Sequence, residues 1–406
     1  MGRSLPQLPR VSASLGAVLL QAVASVSTLV QMFLFGILLP RDAFDDYAVW
    51  ITASAFCVGL GQAIGVERVM VGKRTLADGM ASARVLALAI AAIEIGFAVW
   101  LHSIPLLLCS ITSLVYVLWD YLRFGTPAAD ATTFYLRDLL VLGVQLAAVA
   151  LTAFAGLDRT WLPAVWWASG SVLWTAFVLQ KVRTSWALRA RDVLWSDRRE
   201  SVPLLFDAAM AGVPLVVALA LARSATSGAA ADARMALTLL GPITVLGLAI
   251  RRLLYSRAAS GRLDRRGLQI FFGGVVVVFV SCTTILAMTR TPIYSAVLPA
   301  FGALTWAAIL GFAINHTSLM AVIPPAGYLR AESRSRAVGW ARFLATLVGL
   351  GVAVALHPLG TPAQVAWPVA SASIAYCTFC WLFLWLPLGR DRSTPATPTP
   401  VATPSS

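Results

Sequence analysis

Few side chains in this sequence could do chemistry, and most of them are ionisable or amide groups set inside apolar runs. Glu94 is the acid deepest in such a run, and Asp207 lies about one turn into another. A carboxylate there is costly unless it binds a proton or cation, lines a cavity or meets a base. Both are therefore candidates for ion coupling and, equally, for helix-to-helix pairing. His316, next to Asn315, and the amides of Gln21, Gln31 and Gln145 also stand in mid-run. Neutral polar groups bond readily across helices, which is the plainer reading. His316 and Gln31 are also candidates to touch a substrate.

A second set is basic. Arg68 follows Glu67, Arg251 and Arg252 are adjacent, and Arg342 lies near the start of a later apolar run. Arginines at such places anchor helix ends by reaching toward water. A sharper reading is that Arg68, Arg251 and Arg252 form a basic vestibule. It would capture an anionic head group such as a pyrophosphate, which the planar guanidinium fork binds well. Arg41 and Arg223 occupy matching positions at the far ends of their runs, where they could meet the same anion on its way out.

Soluble-enzyme signatures are missing: there is no P-loop, dinucleotide fingerprint or H-E-x-x-H, and only three histidines. The sequence thus offers no catalytic set, no metal ligands and no cofactor site. The five cysteines (Cys57, Cys109, Cys282, Cys377 and Cys380) lie inside apolar segments, and the C-T-F-C ending at Cys380 lacks the strand-to-helix setting of a redox motif. Helix packing accounts for them.

The elements that must position these residues follow from composition. With 59% hydrophobic and 12% charged residues among 406, the solvent for most of the chain is lipid. A net charge of +13 could indicate nucleic acid, but the bases are scattered in short patches between apolar runs instead of gathering on one face. Runs long enough to span a bilayer lie at about 14–39, 47–67, 82–101, 104–122, 137–156, 161–181, 203–222, 234–254, 268–288, 302–323, 337–356 and 365–387. The first follows Arg3 and Arg10 but is too long for a signal h-region of about 7 to 15 residues, so it reads as a retained helix.

Charge supports this count. Connections after even-numbered runs hold most of the Lys and Arg, whereas those after odd-numbered runs hold only Arg41, Arg159, Arg223, Arg234 and Arg290. Cytoplasmic loops retain bases, so both termini are expected in the cytoplasm. The expected fold class is an all-α polytopic membrane protein with about twelve transmembrane helices in two six-helix lobes. Residues 1–181 form the first lobe, 182–202 a cytoplasmic connection, 203–389 the second lobe and 390–406 a disordered tail rich in Pro and Thr. Helices 1 and 2 overlay on 7 and 8 at an offset of about 186 residues. Two junctions are delicate: the turn at His102, Ser103 and Pro105, and the stretch from Ile293 to Pro325, where Pro299 would end a short outer segment.

The stretch L-F-G-I-L-L-P-R-D-A-F-D-D-Y-A-V-W, from Leu34 to Trp50, resembles the helix 1 to helix 2 junction of polysaccharide transporters and O-antigen flippases of the multidrug, oligosaccharidyl-lipid and polysaccharide (MOP) exporter superfamily. Pro40, Asp42, Phe44 and Tyr47 stand in the family's places, while Asp46 replaces its usual glycine. The segment from Ala236 to Leu254, with its Gly-Pro, is similar to helix 8 of that family. The resemblance implies a MATE-like, two-lobed rocking carrier, not an enzyme. It would move an undecaprenyl-pyrophosphate-linked oligosaccharide across the cytoplasmic membrane through a cationic cavity. The expected partners are that lipid-linked glycan, membrane lipids and polysaccharide-assembly enzymes, around a monomer that does not bind nucleic acid. Two alternatives remain: a drug or cation antiporter of the same superfamily, using Glu94 or Asp207, and a membrane-embedded glycosyltransferase or polymerase built on Asp42, Asp45 and Asp46.

Overall fold

The computed structural model describes residues 13–61, 76–125, 131–182, 198–244, 265–298, 301–331 and 334–385, and no strand occurs among them. The first half of the chain contributes α1 (Ala13–Leu38), α2 (Arg41–Gly61), α3 (Leu76–Trp100), α4 (Ile104–Gly125), α5 (Ala131–Phe154) and α6 (Leu162–Val182). The second half contributes α7 (Arg198–Ala225), α8 (Ala229–Leu239), α9 (Arg265–Ala287), the short α10 (Pro292–Val297), α11 (Trp306–Ala321), α12 (Ile323–Ala331), α13 (Ser335–Ala355) and α14 (Pro362–Trp385).

Eight helices among the described residues are long and apolar enough to cross a membrane. Their outward faces expose Leu151, Val172 and Val354, side chains that would be costly in water and are at home in lipid. This is a multi-pass membrane protein. Each of the twelve expected runs overlaps a helix, but four helices miss the spanning criterion. α1 and α3 qualify only through the shorter stretches Ser25–Leu38 and Ala87–Trp100. α2 and α8 begin five or six residues earlier than expected, and so carry Arg41, Asp42, Asp45 and Asp46, or Asp232, in their first turns. Against the expected twelve spans, eight helices among the described residues meet the criterion.

The turn between α3 and α4 is explicit. His102 adopts a left-handed conformation (φ 53°), and the N–H groups of His102 and Ser103 return to the carbonyls of Val99 and Ala98 at 3.0 Å. That is a Schellman closure. The Ser103 hydroxyl then accepts the Leu106 N–H at 3.4 Å, starting α4. In the 293–325 stretch, α10 is the expected short segment, although Pro299 itself lies outside the described residues. α11 starts at an N-cap, Thr305, which accepts the Ala308 N–H, and its break from α12 falls at Val322, where Pro324 and Pro325 supply no N–H donors.

Within each half the helices pack through small residues. A Cβ at Gly311 of α11 would lie 2.7 Å from Ala366 of α14, and one at Gly349 of α13 would lie 2.9 Å from the Pro368 carbonyl. Such close approach is the usual basis of helix association in lipid. One buried cluster is built mostly by α1 to α6 around Trp50, Trp119 and Trp167, and another mostly by α7 to α14 around Phe312 and Leu219. The halves meet where α2 lies against α7 and α8, and α1 against α8. Phe56 of α2 packs so closely there that a Cβ at Gly212 of α7 would fall 2.1 Å from its ring.

Candidate functional site: an inter-half cavity closed at one end

A cavity of about 360 Å³ lies between the halves. The first half gives it a polar wall. Arg123 of α4 sits 3.0 Å from Asp138 of α5 and also pairs with Asp120, all three nearly fully buried. The Trp119 indole donates to the second Asp138 oxygen at 2.8 Å. Beside this cluster Tyr116, Trp167 and Trp174 pack with ring centroids 4.9 to 5.9 Å apart. Gln31 donates to the Tyr47 hydroxyl at 2.6 Å, and Gln145 to the Trp166 carbonyl at 3.3 Å.

The second half supplies the facing wall from α8 and the turn after it: Arg234, Thr238, Gly241 and Thr244. Arg234 is half-buried, and among the described residues no carboxylate pairs with it; its Nε, like those of Arg123, Arg330 and Arg334, is buried without a hydrogen-bond partner.

Two expected site residues stand one side chain behind this cavity. Glu94, fully buried on α3, accepts from the Ser113 hydroxyl and lies beside Ser54, which lines the cavity. Its Oε1 has no hydrogen-bond partner. His316 of α11 shares a 3.3 Å contact between Nε2 and the hydroxyl of Thr244, another lining residue. Asp207 lies elsewhere, inside the second half. It accepts from Arg330 at 2.6 Å, from Arg342 at 3.1 Å and from the Tyr376 hydroxyl at 3.5 Å.

At one end the cavity is shut by the first turns of α2 and α8. Arg41 reaches across to Asp232 at 2.8 Å, and Arg223, at the end of α7, reaches back to Asp46 at 2.6 Å. Asp45 accepts the Gly228 and Ala231 N–H groups, the latter at 2.7 Å, and so caps α8 from the other half. The Ser227 hydroxyl donates to Asp42. Gly228 has φ 87°, and a Cβ there would lie 1.8 Å from the Arg41 Nε, so a side chain is excluded twice over. Burial pushes the Asp232 carboxyl up to about 6 against the pull of Arg41. Burial also raises Asp45, against its two backbone N–H donors. Beneath the charges is a dry layer. Phe301 meets Phe44 edge-on at 5.4 Å, and it lies so close to α1 that a Cβ at Gly36 would sit 2.5 Å from its ring.

No protein-family model matches this sequence, and no curated protein sequence does. Solved structures do. A MATE structure in the straight conformation superposes with a TM-score of 0.58 at 13% identity over 92% of this chain and 96% of that one. An outward-facing multidrug-resistance MATE transporter gives 0.54 at 14% identity, covering 94% and 98%. A MOP superfamily transporter from Pyrococcus furiosus, described as having a binding pocket of reversed polarity, gives 0.56 at 12% identity, covering 94% and 98%.

The chain has the MATE transporter fold. Within it, Gln31 lines the cavity, while Glu94 and His316 back it through single hydroxyls. Arg41 and Arg223 lie at the closed end, paired with acids. Arg68, Arg251 and Arg252 lie outside the described residues, as do Glu67 and most of the 182–202 connection. Arg123 follows the run at 104–122, in a connection whose bases read as cytoplasmic, but the structure buries it between Asp120 and Asp138. It read Arg234 as a loop base, whereas the early start of α8 carries it onto the cavity wall. An available signal was spacing: Asp120 and Arg123, three apart, share a helix face and can pair as they enter lipid.

Proposed function

We propose that this protein is an alternating-access carrier of the cell membrane, and that its cargo is an amphipathic anion: a polyprenyl-pyrophosphate-linked oligosaccharide, moved from the cytoplasmic to the outer leaflet. The observation that carries this reading is Arg234. An unpaired guanidinium facing a cavity is costly unless a bound anion meets it. The flanking Trp167, Trp174 and Tyr116 rings and the Gln31 and Gln145 amides are the side-chain types that hold sugars by stacking and hydrogen bonding. The resemblance of the Leu34–Trp50 junction to polysaccharide transporters supports the same cargo. The fold does not set the sign of the cargo, since one structural neighbour is described as having a pocket of reversed polarity.

A second reading, a cation or drug antiporter, is favoured by a different observation. The Asp120–Arg123–Asp138 cluster sets two carboxylates into the wall, and Glu94 stands behind Ser54 where it could take up a coupling proton or cation. The multidrug MATE neighbour points the same way.

The test is reconstitution in vesicles with a fluorescent polyprenyl-pyrophosphate glycan and, separately, an organic cation. Arg234→Gln abolishes glycan translocation at unchanged membrane abundance, and Arg234→Lys retains part of it. Glycan movement unaffected by Arg234→Gln, or extrusion of the organic cation alone, overturns the anionic reading.

A further inference from the structure

Both ion pairs at the closed end cross from one half of the chain to the other, and they do so in opposite senses. Arg41 of the first half holds Asp232 of the second, and Arg223 of the second holds Asp46 of the first. Each half therefore grips an acid that the other half presents. α8 is moreover capped by Asp45, so its first turn is completed only while the halves touch.

We infer that these first turns of α2 and α8 form a reciprocal latch, a gate at one end of the cavity whose two cross-half ion pairs hold the closed state and must part together for that end to open. The inference rests on the carrier reading for its purpose, but not on the identity of the cargo. Arg41 is 41% and Arg223 37% exposed, so water reaches both pairs and each is weak alone. That suits a gate, which must open on ordinary thermal and cargo-binding energies. Pairs in dry protein would lock it.

The experiment is a distance measurement on the full chain in nanodiscs without cargo. Spin labels are attached at Pro40→Cys and Ser224→Cys, exposed positions outside the latch. The expected wild-type distribution is dominated by one short separation. Neutralising one pair, as in Arg41→Gln, multiplies the open-to-closed ratio by about two to five. Reversal by Arg41→Asp sets three like charges together and raises the ratio further, by on the order of tenfold. Exchanging partners, Arg41→Asp with Asp232→Arg, or Arg223→Asp with Asp46→Arg, restores the short distance. A distribution that stays at the wild-type separation in the Arg41→Gln/Arg223→Gln double variant overturns the latch. If the reversals fail to fold, that neutral double variant gives the same readout. The two proposals fail separately: normal glycan movement in Arg234→Gln refutes the anionic cargo while distances that respond to the latch variants leave the gate standing.

Discussion

Replacing Asp207 by alanine asks whether this acid couples an ion or joins helices. Asp207 is 10% exposed, and its carboxylate is shared by Arg330 of α12, 16% exposed, and Arg342 of α13, 15% exposed. Alanine would remove the carboxylate shared by two largely buried guanidiniums. Removing one partner of a buried pair costs about 3–5 kcal/mol, mostly from the charge left behind. Here the stranded charges are both positive, so the upper part of that range applies. Asparagine keeps acceptor geometry toward Arg342 and Tyr376 but loses the charge, which costs about 1–3 kcal/mol. Thermal unfolding in detergent, followed by fluorescence or by retention of a monodisperse peak, would show a midpoint lowered by on the order of 10 °C for Asp207→Ala and by less for Asp207→Asn. In a double-mutant cycle, Arg342→Met in the Asp207→Ala background would recover part of the loss, because it removes one stranded cation. An Asp207→Ala protein that melts with the wild type but no longer transports would refute the structural assignment and return Asp207 to the coupling role.

Two further outcomes follow from the geometry around the cavity. Glu94→Gln keeps the Ser113 contact but cannot carry a charge, so it preserves the melting temperature while removing any proton- or cation-dependent component of transport, measured as the response of vesicle uptake to an imposed ion gradient. Acidification stabilises the closed end: Asp232, which faces Arg41, Asp45, the Gly302 N–H and Tyr294, has its carboxyl raised from 3.8 to about 6 by burial in the latch. Opening returns it to water and its ordinary value, so the closed state binds the proton more tightly; burying this carboxylate costs more than Arg41 returns, so a proton favours closure, whereas Arg41→Gln strands the buried charge and favours opening. The proton's contribution to closure is complete below about pH 4 and lost as pH rises through about 6. The spin-label distance should therefore shorten between pH 7 and 5, and Asp232→Asn should remove most of the shift; lengthening on acidification would contradict the assignment.

The helices were legible because lipid imposes a strong rule on sequence, in which long apolar stretches alternate with bases in short loops. His102 and Ser103 look like too little to turn a chain, yet a left-handed residue and one serine cap suffice. The starts of α2 and α8 were misplaced for a physical reason. Hydropathy stops at the first charge, but Asp42, Asp45 and Asp46 are favoured at a helix N-terminus and find partners across the halves, so the helix runs on through them. Pairing across about 180 residues leaves no local trace in the sequence. The same blindness hid the partners of Asp207 and the contrast between Arg123, which is paired, and Arg234, which among the described residues is not.

α2 joins the two parts of the site in one rod. Its first turns hold Arg41, Asp45 and Asp46, and Ser54, Ala55 and Val58 farther along line the cavity, about 12 Å beyond the latch at 1.5 Å per residue. Between Arg41 and Val58 the helix contains no proline or glycine at which it could bend. A displacement that parts Asp46 from Arg223 therefore moves Ser54 as well, and Ser54 touches Glu94. α8 is built differently. It carries Asp232 and Arg234 in its first turns but ends at Leu239, just before Gly241 and Pro242. On that side Asp232 of the latch and Arg234 of the cavity wall are two residues apart on one turn, so an anion that pulls Arg234 inward draws on the same short helix that holds the gate. Binding at the cavity and release at the latch thus compete for one rigid element, which is the minimum a carrier needs for cargo to bias which end is open.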